Sequence, residues 1–283
     1  TAPLFEAVDG ATIQNVKLTG VNITETARLH VGALVCDAVN ATIDNCSTEG
    51  ALTYTCSTAI VGATNSSQGV AGLVGALKGA STLKNSTNGI NVTITKYAAS
   101  CDKKVYNPFG ALVGYAQGTS AKNVVISNCT NLGYVLSKVK SITNVQPAVG
   151  GIAGFAHHVT LNNITNGKEG DTTCGNVTFE QAQSCVGAAA VIGACKNITI
   201  DTLTNYGTFS YQQSIAFPYV GGIIGTWWDN DGTVTSELSN ITNYGDVLVS
   251  KCSHKAGDPF FGGIIGRHAG DAVKLTNCTN HGD

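Results

Sequence analysis

Apolar residues along the chain fall into a glycine-rich six-residue frame that keeps returning. It reads Val31-Gly-Ala-Leu-Val-Cys36, Val70-Ala-Gly-Leu-Val-Gly75, Phe109-Gly-Ala-Leu-Val-Gly114 and Val149-Gly-Gly-Ile-Ala-Gly154. An altered copy lies near Val186, and the frame returns as Val220-Gly-Gly-Ile-Ile-Gly225 and Phe261-Gly-Gly-Ile-Ile-Gly266, at intervals near 39 residues. A second block accompanies each hexamer. Its first apolar column is Ile13, Ile43, Leu83, Ile126, Leu161, Ile200, Leu238 and Leu275. Three residues later stand Val16, Cys46, Ser86, Cys129, Ile164, Leu203, Ile241 and Cys278, all apolar or small. Two residues beyond come Leu18 and Thr48, then Asn88, Asn131, Asn166, Asn205, Asn243 and Asn280. A step of three between inward residues breaks the two-residue alternation of a straight strand, so the chain must turn a corner inside each block. Segments rich in Thr, Val, Ile and Asn and cut by Gly predict strands and not helices.

A period of this length, with one residue type at a fixed offset, is the signature of a stacked repeat. The pattern predicts an all-β chain folded as one domain over residues 1–283, a parallel β-solenoid (β-helix) expected to be right-handed. About eight coils of ~39 residues would each hold three strands: the hexamer, the Asn block and a variable third strand. Ala51–Thr55, Asn91–Thr95, Tyr134–Ser137 and Asp246–Ser250 are examples of the third. Loops of unequal length after it absorb the drift in period. Stacking places like side chains above one another, so the Asn column should become a ladder of amide hydrogen bonds. A β-sandwich would not need the same residue at the same place eight times.

The hexamers and the Thr-Asn-x-Gly endings, such as Asn128-Cys-Thr-Asn-Leu-Gly133, Asn240-Ile-Thr-Asn-Tyr-Gly245 and Asn277-Cys-Thr-Asn-His-Gly282, carry a resemblance over nearly the whole chain. It resembles the GLUG-type repeats, named for a Gly-Leu-x-Gly core, of extracellular surface proteins and adhesins, and more loosely the wider parallel β-helix class. The resemblance implies a scaffold outside the cell.

Composition sharpens this. Charged residues make up 12% of the 283, about half the usual share, while 43% hydrophobic residues exclude wholesale disorder. A net charge of −2 gives no electrostatic footprint for nucleic acid or an anionic membrane. The longest apolar run, Cys185 to Cys195, is about half of what a membrane span requires, so no membrane insertion is expected. The absence of Met implies a processed or excised chain. Ten cysteines without a CxxC pair fit an oxidising compartment better than a zinc or redox motif. Together these point to a secreted, extracellular protein.

Twelve N-x-S/T sequons, at Asn22, Asn40, Asn45, Asn65, Asn85, Asn91, Asn128, Asn163, Asn176, Asn197, Asn240 and Asn277, compare with roughly four expected if Ser and Thr followed Asn at their overall frequency. They imply covalent N-glycans and a eukaryotic secretory pathway. Asn45, Asn85, Asn128, Asn163, Asn240 and Asn277 share one column, two residues after the inward apolar residue, and should face outward. Asn-x-Thr also suits a β-arc for backbone reasons alone, and sugars one coil apart would crowd. Asn22, Asn65, Asn91 and Asn176 escape that crowding. Among the cysteines, Cys46, Cys129 and Cys278 read as buried small residues. Stacking favours a Cys56–Cys101 disulfide, and Cys174–Cys185 flank one loop as a weaker pair.

Catalytic constellations are harder to find. Acids are sparse and none pairs at coil spacing, as a polysaccharide-active β-helix would need, so neither catalysis nor a cofactor is expected. His157-His158 should point opposite ways on a strand and not form a metal site. The segment Trp227-Trp228-Asp229-Asn230-Asp231-Gly232 is the one that looks like a ligand loop, with aromatic faces for sugars and acids for calcium. Neither end shows a polar cap, so the last coil is expected to be completed by the first segment of another subunit, head-to-tail. The expected function is a non-enzymatic structural glycoprotein forming a filament or coat. A monomeric carbohydrate-binding adhesin is the alternative.

Overall fold

The computed structural model describes residues 2–55, 69–96, 105–138, 145–180, 187–212, 219–228, 236–250, 260–269 and 273–283. These residues are all-β without a helix, and every pairing between the named strands is parallel. The predicted apolar column stacks in register through eight levels, as Ile13 over Ile43, Leu83, Ile126, Leu161, Ile200, Leu238 and Leu275. The chain is therefore a parallel β-solenoid. The third strands also stack, with Leu52 on Val92, Val135, Val177, Phe209 and Val247.

The Gly hexamer is not one strand. It turns a corner at its third and fourth residues, so Val105–Gly110 and Val113–Gln117 are separate strands on either side of Ala111 and Leu112. The coils over 105–137 and 219–249 hence hold four strands where the sequence predicts three; in the two coils between them the hexamer's second half and the Asn block run on as single strands, Ala153–Asn166 and Ile192–Asn205. The leading segments, Val105–Gly110, Val145–Gly150, Gly187–Ala189, Tyr219–Gly221 and Phe260–Gly262, form a sheet of their own beside the 21-stranded main sheet. The last glycine of the hexamer allows this. A Cβ on Gly154 would lie 2.3 Å from the backbone nitrogen of Phe109, and one on Gly193 the same distance from that of Val149. No side chain fits where a strand passes so close to the leading strand of the coil before it.

The Asn block turns two corners, both through left-handed backbone. The first is at Gly10, Asn40, Gly79, His158 and Asn197, and the second at Asn15, Asn45, Asn85, Asn128, Asn163, Thr202, Asn240 and Asn277. The second corner has φ between 50° and 61° at all eight levels. Asn is the side chain that tolerates this region best after Gly, because its short amide bonds locally.

Two apolar clusters fill the coils. One holds the fourth hexamer residues Leu34, Leu73, Leu112, Ile152, Val191 and Ile223 with the Ile43 to Leu238 column. The other holds the hexamers' first residues, Val31, Val70, Phe109 and Val149, with the third-strand residues Leu52, Val92, Val135, Val177 and Phe209. Burying one such side chain contributes roughly 1.5–3 kcal/mol, so the coils are held chiefly by this repeated burial.

Candidate functional site

The residues that could act on the outside world belong to the columns of the Asn block and the third strand. The inner column runs along the seam between the two apolar clusters. Thr48 Oγ1 donates to Asn88 Oδ1 at 3.1 Å, and from there each Nδ2 donates to the Oδ1 of the next coil. The distances are 2.9 Å from Asn88 to Asn131, 2.8 Å from Asn131 to Asn166, 2.8 Å from Asn166 to Asn205, 2.6 Å from Asn205 to Asn243 and 2.7 Å from Asn243 to Asn280. The expected ladder is present. Each amide also binds its own turn: Gly133 N–H donates to Asn131 Oδ1 at 3.1 Å, and Asn131 Nδ2 donates to the Gly133 carbonyl at 2.9 Å. The same pair of bonds links Asn205 with Gly207. This is the physical content of Thr-Asn-x-Gly.

The ladder also explains the hexamer's third residue. A Cβ on Gly72 would sit 2.2 Å from Asn88 Oδ1, and one on Gly263 2.5 Å from Asn280 Nδ2. Asn166 and Asn243 donate onto the third-residue carbonyls of Ala190 (2.9 Å) and Gly263 (3.1 Å). The two sequence signatures of the repeat are thus in contact.

The outer column forms a second ladder, which sequence reasoning missed. Asn45 Nδ2 donates to Asn15 Oδ1 at 2.7 Å, Asn128 to Asn85 at 3.1 Å, Asn163 to Asn128 at 2.9 Å and Asn277 to Asn240 at 3.2 Å. In two places a carboxylate accepts instead. Asn85 donates to Asp44 Oδ1 and Asn240 to Asp201 Oδ1, both at 2.8 Å. The Asn85 amide, with Lys84, holds the Asp44 carboxyl below its ordinary range. Ser239 and Asn240 do the same for Asp201. The left-handed corner and the fixed offset were the available signals for this ladder.

The sequons now divide. The six corner sequons face outward as expected, but their Nδ2 atoms bridge to the coil before. Asn40 is exposed, with Nδ2 3.3 Å from Asp9 Oδ1 and Oδ1 accepting the Ala80 N–H. Asn197 corrects the expectation. It is 1% exposed, with Nδ2 3.4 Å from His158 Nε2, so the folded coil has no room for a sugar there. Asn40 stands at the same first corner and is exposed, whereas Asn197 packs against His158 of the coil before. Asn22 is exposed, Asn91 and Asn176 are half-buried on the third-strand face, and Asn65 lies outside the described residues.

Cys46 and Cys129 are buried thiols, as expected, and Cys278 packs part-buried against the same cluster. Cys46 and Cys129 donate to the carbonyls two residues back, Asp44 and Ser127, at 3.3 and 3.2 Å, a role taken by the Ser86 hydroxyl in the coil between them. Burial pushes the Cys129 thiol up to about 12 and Cys195 well above its usual value. Cys174 is a buried free thiol; Cys185, Cys56 and Cys101 lie outside the described residues, and with them both predicted bridges.

Trp227 is fully buried in the main apolar cluster, 6.4 Å from the His268 ring. The expected ligand loop therefore loses its first aromatic face. Trp227 is in register with Cys195 and His268, a column that faces inward. Trp228 is half-buried with its ring 5.4 Å from that of Phe155, which stacks on Tyr115. Asp229 and Asp231 lie outside the described residues. His157 and His158 do not point apart: the left-handed backbone at His158 breaks the alternation and the rings stack at 4.3 Å. Among the described residues no three His, Cys, Asp or Glu side chains gather as a metal set.

One surface feature escaped the sequence reading although its signal was present. The x residues of successive Thr-Asn-x-Gly blocks, Tyr206, Tyr244 and His281, stack with centroids 5.2 and 4.8 Å apart. Comparison of the chain with protein-family models, with curated proteins and with solved structures finds no match.

Proposed function

We propose that the chain is a non-enzymatic structural subunit of a secreted N-glycoprotein, stacking head-to-tail into a filament or surface coat. The observation that carries this reading is the cross-section of the last coil. Leu275 is 51% exposed, whereas Ile43, Leu83, Ile126, Leu161, Ile200 and Leu238 of its column are fully buried. Phe261 is 44% exposed, whereas Phe109, Val149, Ala188 and Val220 of its column are fully buried. An apolar face bordered by parallel strand edges is a template for another strand layer.

A second copy fits that face. Its first coil offers strands Phe5–Asp9, Thr12–Gln14 and Lys17–Glu25 in the same order, with Leu4 and Phe5 exposed. The outer ladder donates toward the N-terminal side, so Asn15 Nδ2 of one copy meets Asn277 Oδ1 of the other. The inner ladder stops instead: Leu18 stands in its column, and Asn280 Nδ2 closes onto the Gly282 carbonyl at 2.8 Å. Repetition of such a heterologous contact gives an open filament. The abundance of sequons, the cysteine usage and the resemblance to GLUG-type repeats support the extracellular part of the reading.

Light scattering over rising concentration, with negative-stain microscopy, tests it. The expected result is a ladder of linear oligomers that Leu275→Glu abolishes while the coils stay folded by circular dichroism. A strictly monomeric wild type at every concentration overturns the filament.

A further inference from the structure

We propose that the chain carries its N-glycans on every second coil, at Asn22, Asn91 and Asn176, in one straight column of the third-strand face. The inference rests on the glycoprotein reading and names the sites. Register puts the three sequons in line. Asn22 pairs with Ala51 and Ala51 with Asn91. Tyr134 follows, since Val92 pairs with Val135, and Asn176 follows that, since Val135 pairs with Val177. The column reads Asn22, Ala51, Asn91, Tyr134, Asn176, Thr208, so the sequons alternate with residues that carry no amide.

Spacing decides between this column and the corner. Adjacent coils lie about 4.8 Å apart and alternate ones about 9.6 Å. The corner sequons occupy consecutive coils, and each Nδ2 already spans the gap to the coil before. A sugar on such a nitrogen would be wedged between layers. A glycan joined to the nascent chain must still be accommodated when the coils stack, so the corner disfavours it. At Asn91 and Asn176 of the third strand, Oδ1 bridges to the next coil. Asn91 Oδ1 accepts the Tyr134 N–H at 3.2 Å and Asn176 Oδ1 accepts the Thr208 N–H at 2.9 Å. Asn176 Nδ2 spends one hydrogen on the Thr172 carbonyl at 2.8 Å and has a second.

Strand alternation completes the site. Ile23, Val92 and Val177 point into the core, so each Asn and the Thr two residues on, Thr24, Thr93 and Thr178, share the outer face. In the transfer, Nδ2 bonds to the anomeric carbon of an oligosaccharide diphosphate donor. The diphosphate leaves with the electron pair of the broken C–O bond, and Nδ2 gives up one proton. The secondary amide keeps one N–H and its Oδ1, and so keeps the contacts above.

Site-resolved glycopeptide mass spectrometry on the full chain, secreted from eukaryotic cells, is the test. Asn22, Asn91 and Asn176 should be occupied in most molecules, with Asn128 and Asn163 near zero. Asn91→Gln should remove one glycan mass and Asn128→Gln none. Glycans on Asn40, Asn65 or the corner with the three sites empty would overturn this placement and leave the glycoprotein reading standing. A chain without any glycan would overturn both.

Discussion

The buried column from Asn88 to Asn243 and the exposed one from Asn15 to Asn277 run side by side up the solenoid, three residues apart in each coil, and use one side chain for two purposes. In the buried column each amide stands in for a peptide group, closing its own turn and joining its neighbours where water is absent. In the exposed column the backbone chooses Asn, because φ is positive at every level, and the amide bonds follow. The ladders also run in opposite directions. Inner Nδ2 atoms donate toward the C-terminal coil and outer ones toward the N-terminal coil, so their side-chain dipoles oppose. A polar residue repeated eight times therefore says little by itself; its burial and its φ tell which force keeps it.

The buried ladder should be the costlier to break. Asn166→Ala would take one partner each from Asn131 Nδ2, Asn205 Oδ1 and the carbonyls of Gly175 and Ala190, all inside the coil, leaving Asn131 and Asn205 only their own turn bonds. A buried group left without its partner costs about 1–3 kcal/mol, and the neighbours can relax only partly, so a loss of about 4 kcal/mol is expected in urea unfolding. A loss below about 1 kcal/mol would mean that water enters and takes over the bonds.

The exposed ladder should respond to backbone and not to bonding. Asn128→Ala leaves a Cβ at φ 51° without the short amide that eases left-handed backbone, a cost of about 1–2 kcal/mol. Asn128→Gly also deletes the bonds to Asn85 and Asn163 but is at ease in that conformation, and should recover most of the loss. If Gly proved as damaging as Ala, the amide ladder would be what Asn128 supplies, and the two columns would be alike after all.

The solenoid and its inner ladder were legible because both depend on one residue type at one offset, which register turns directly into contact. The hexamer corner was not, since a run such as Phe109-Gly-Ala-Leu-Val-Gly114 reads as a plain buried strand until the next coil's backbone is seen against its last glycine. Trp227 shows the limit of reading a loop by its chemistry. Two aromatics followed by acids suggest a sugar site, yet its register partner is Cys195, and Ala38, Leu77, Ala116 and Ala156 fill the same column, so alignment with the hexamers would have placed it inside. His158 and Asn197 misled for one shared reason: the first corner fixes no facing, since Asn40 there is exposed while His158 and Asn197 pack together inside, and nothing in a single sequence marks a His as left-handed. The outward sequon column was read correctly as outward; its hydrogen bonds depend on side-chain direction between coils, which offset alone does not fix.

The smallest expected effect is a dependence on pH confined to the exposed column. Thr202 interrupts the outer Asn series, and Asp201 beside it takes over, accepting from the Ser239 hydroxyl and Asn240 Nδ2, both at 2.8 Å. These bonds favour the carboxylate and lower its affinity for a proton, as Asn85 does for Asp44. A carboxyl whose folded-state pKa is depressed adds stability that is present above its unfolded value, near 4, and is lost as pH falls through the folded value. Acidification below about pH 4 should therefore lower the melting temperature of the wild type slightly more than that of an Asp44→Asn, Asp201→Asn variant. Asn166→Ala should show the same deficit at each pH, because the inner column holds no ionisable group. A wild-type advantage that grew on acidification would run against this sign, and would place the charge that matters outside the ladder.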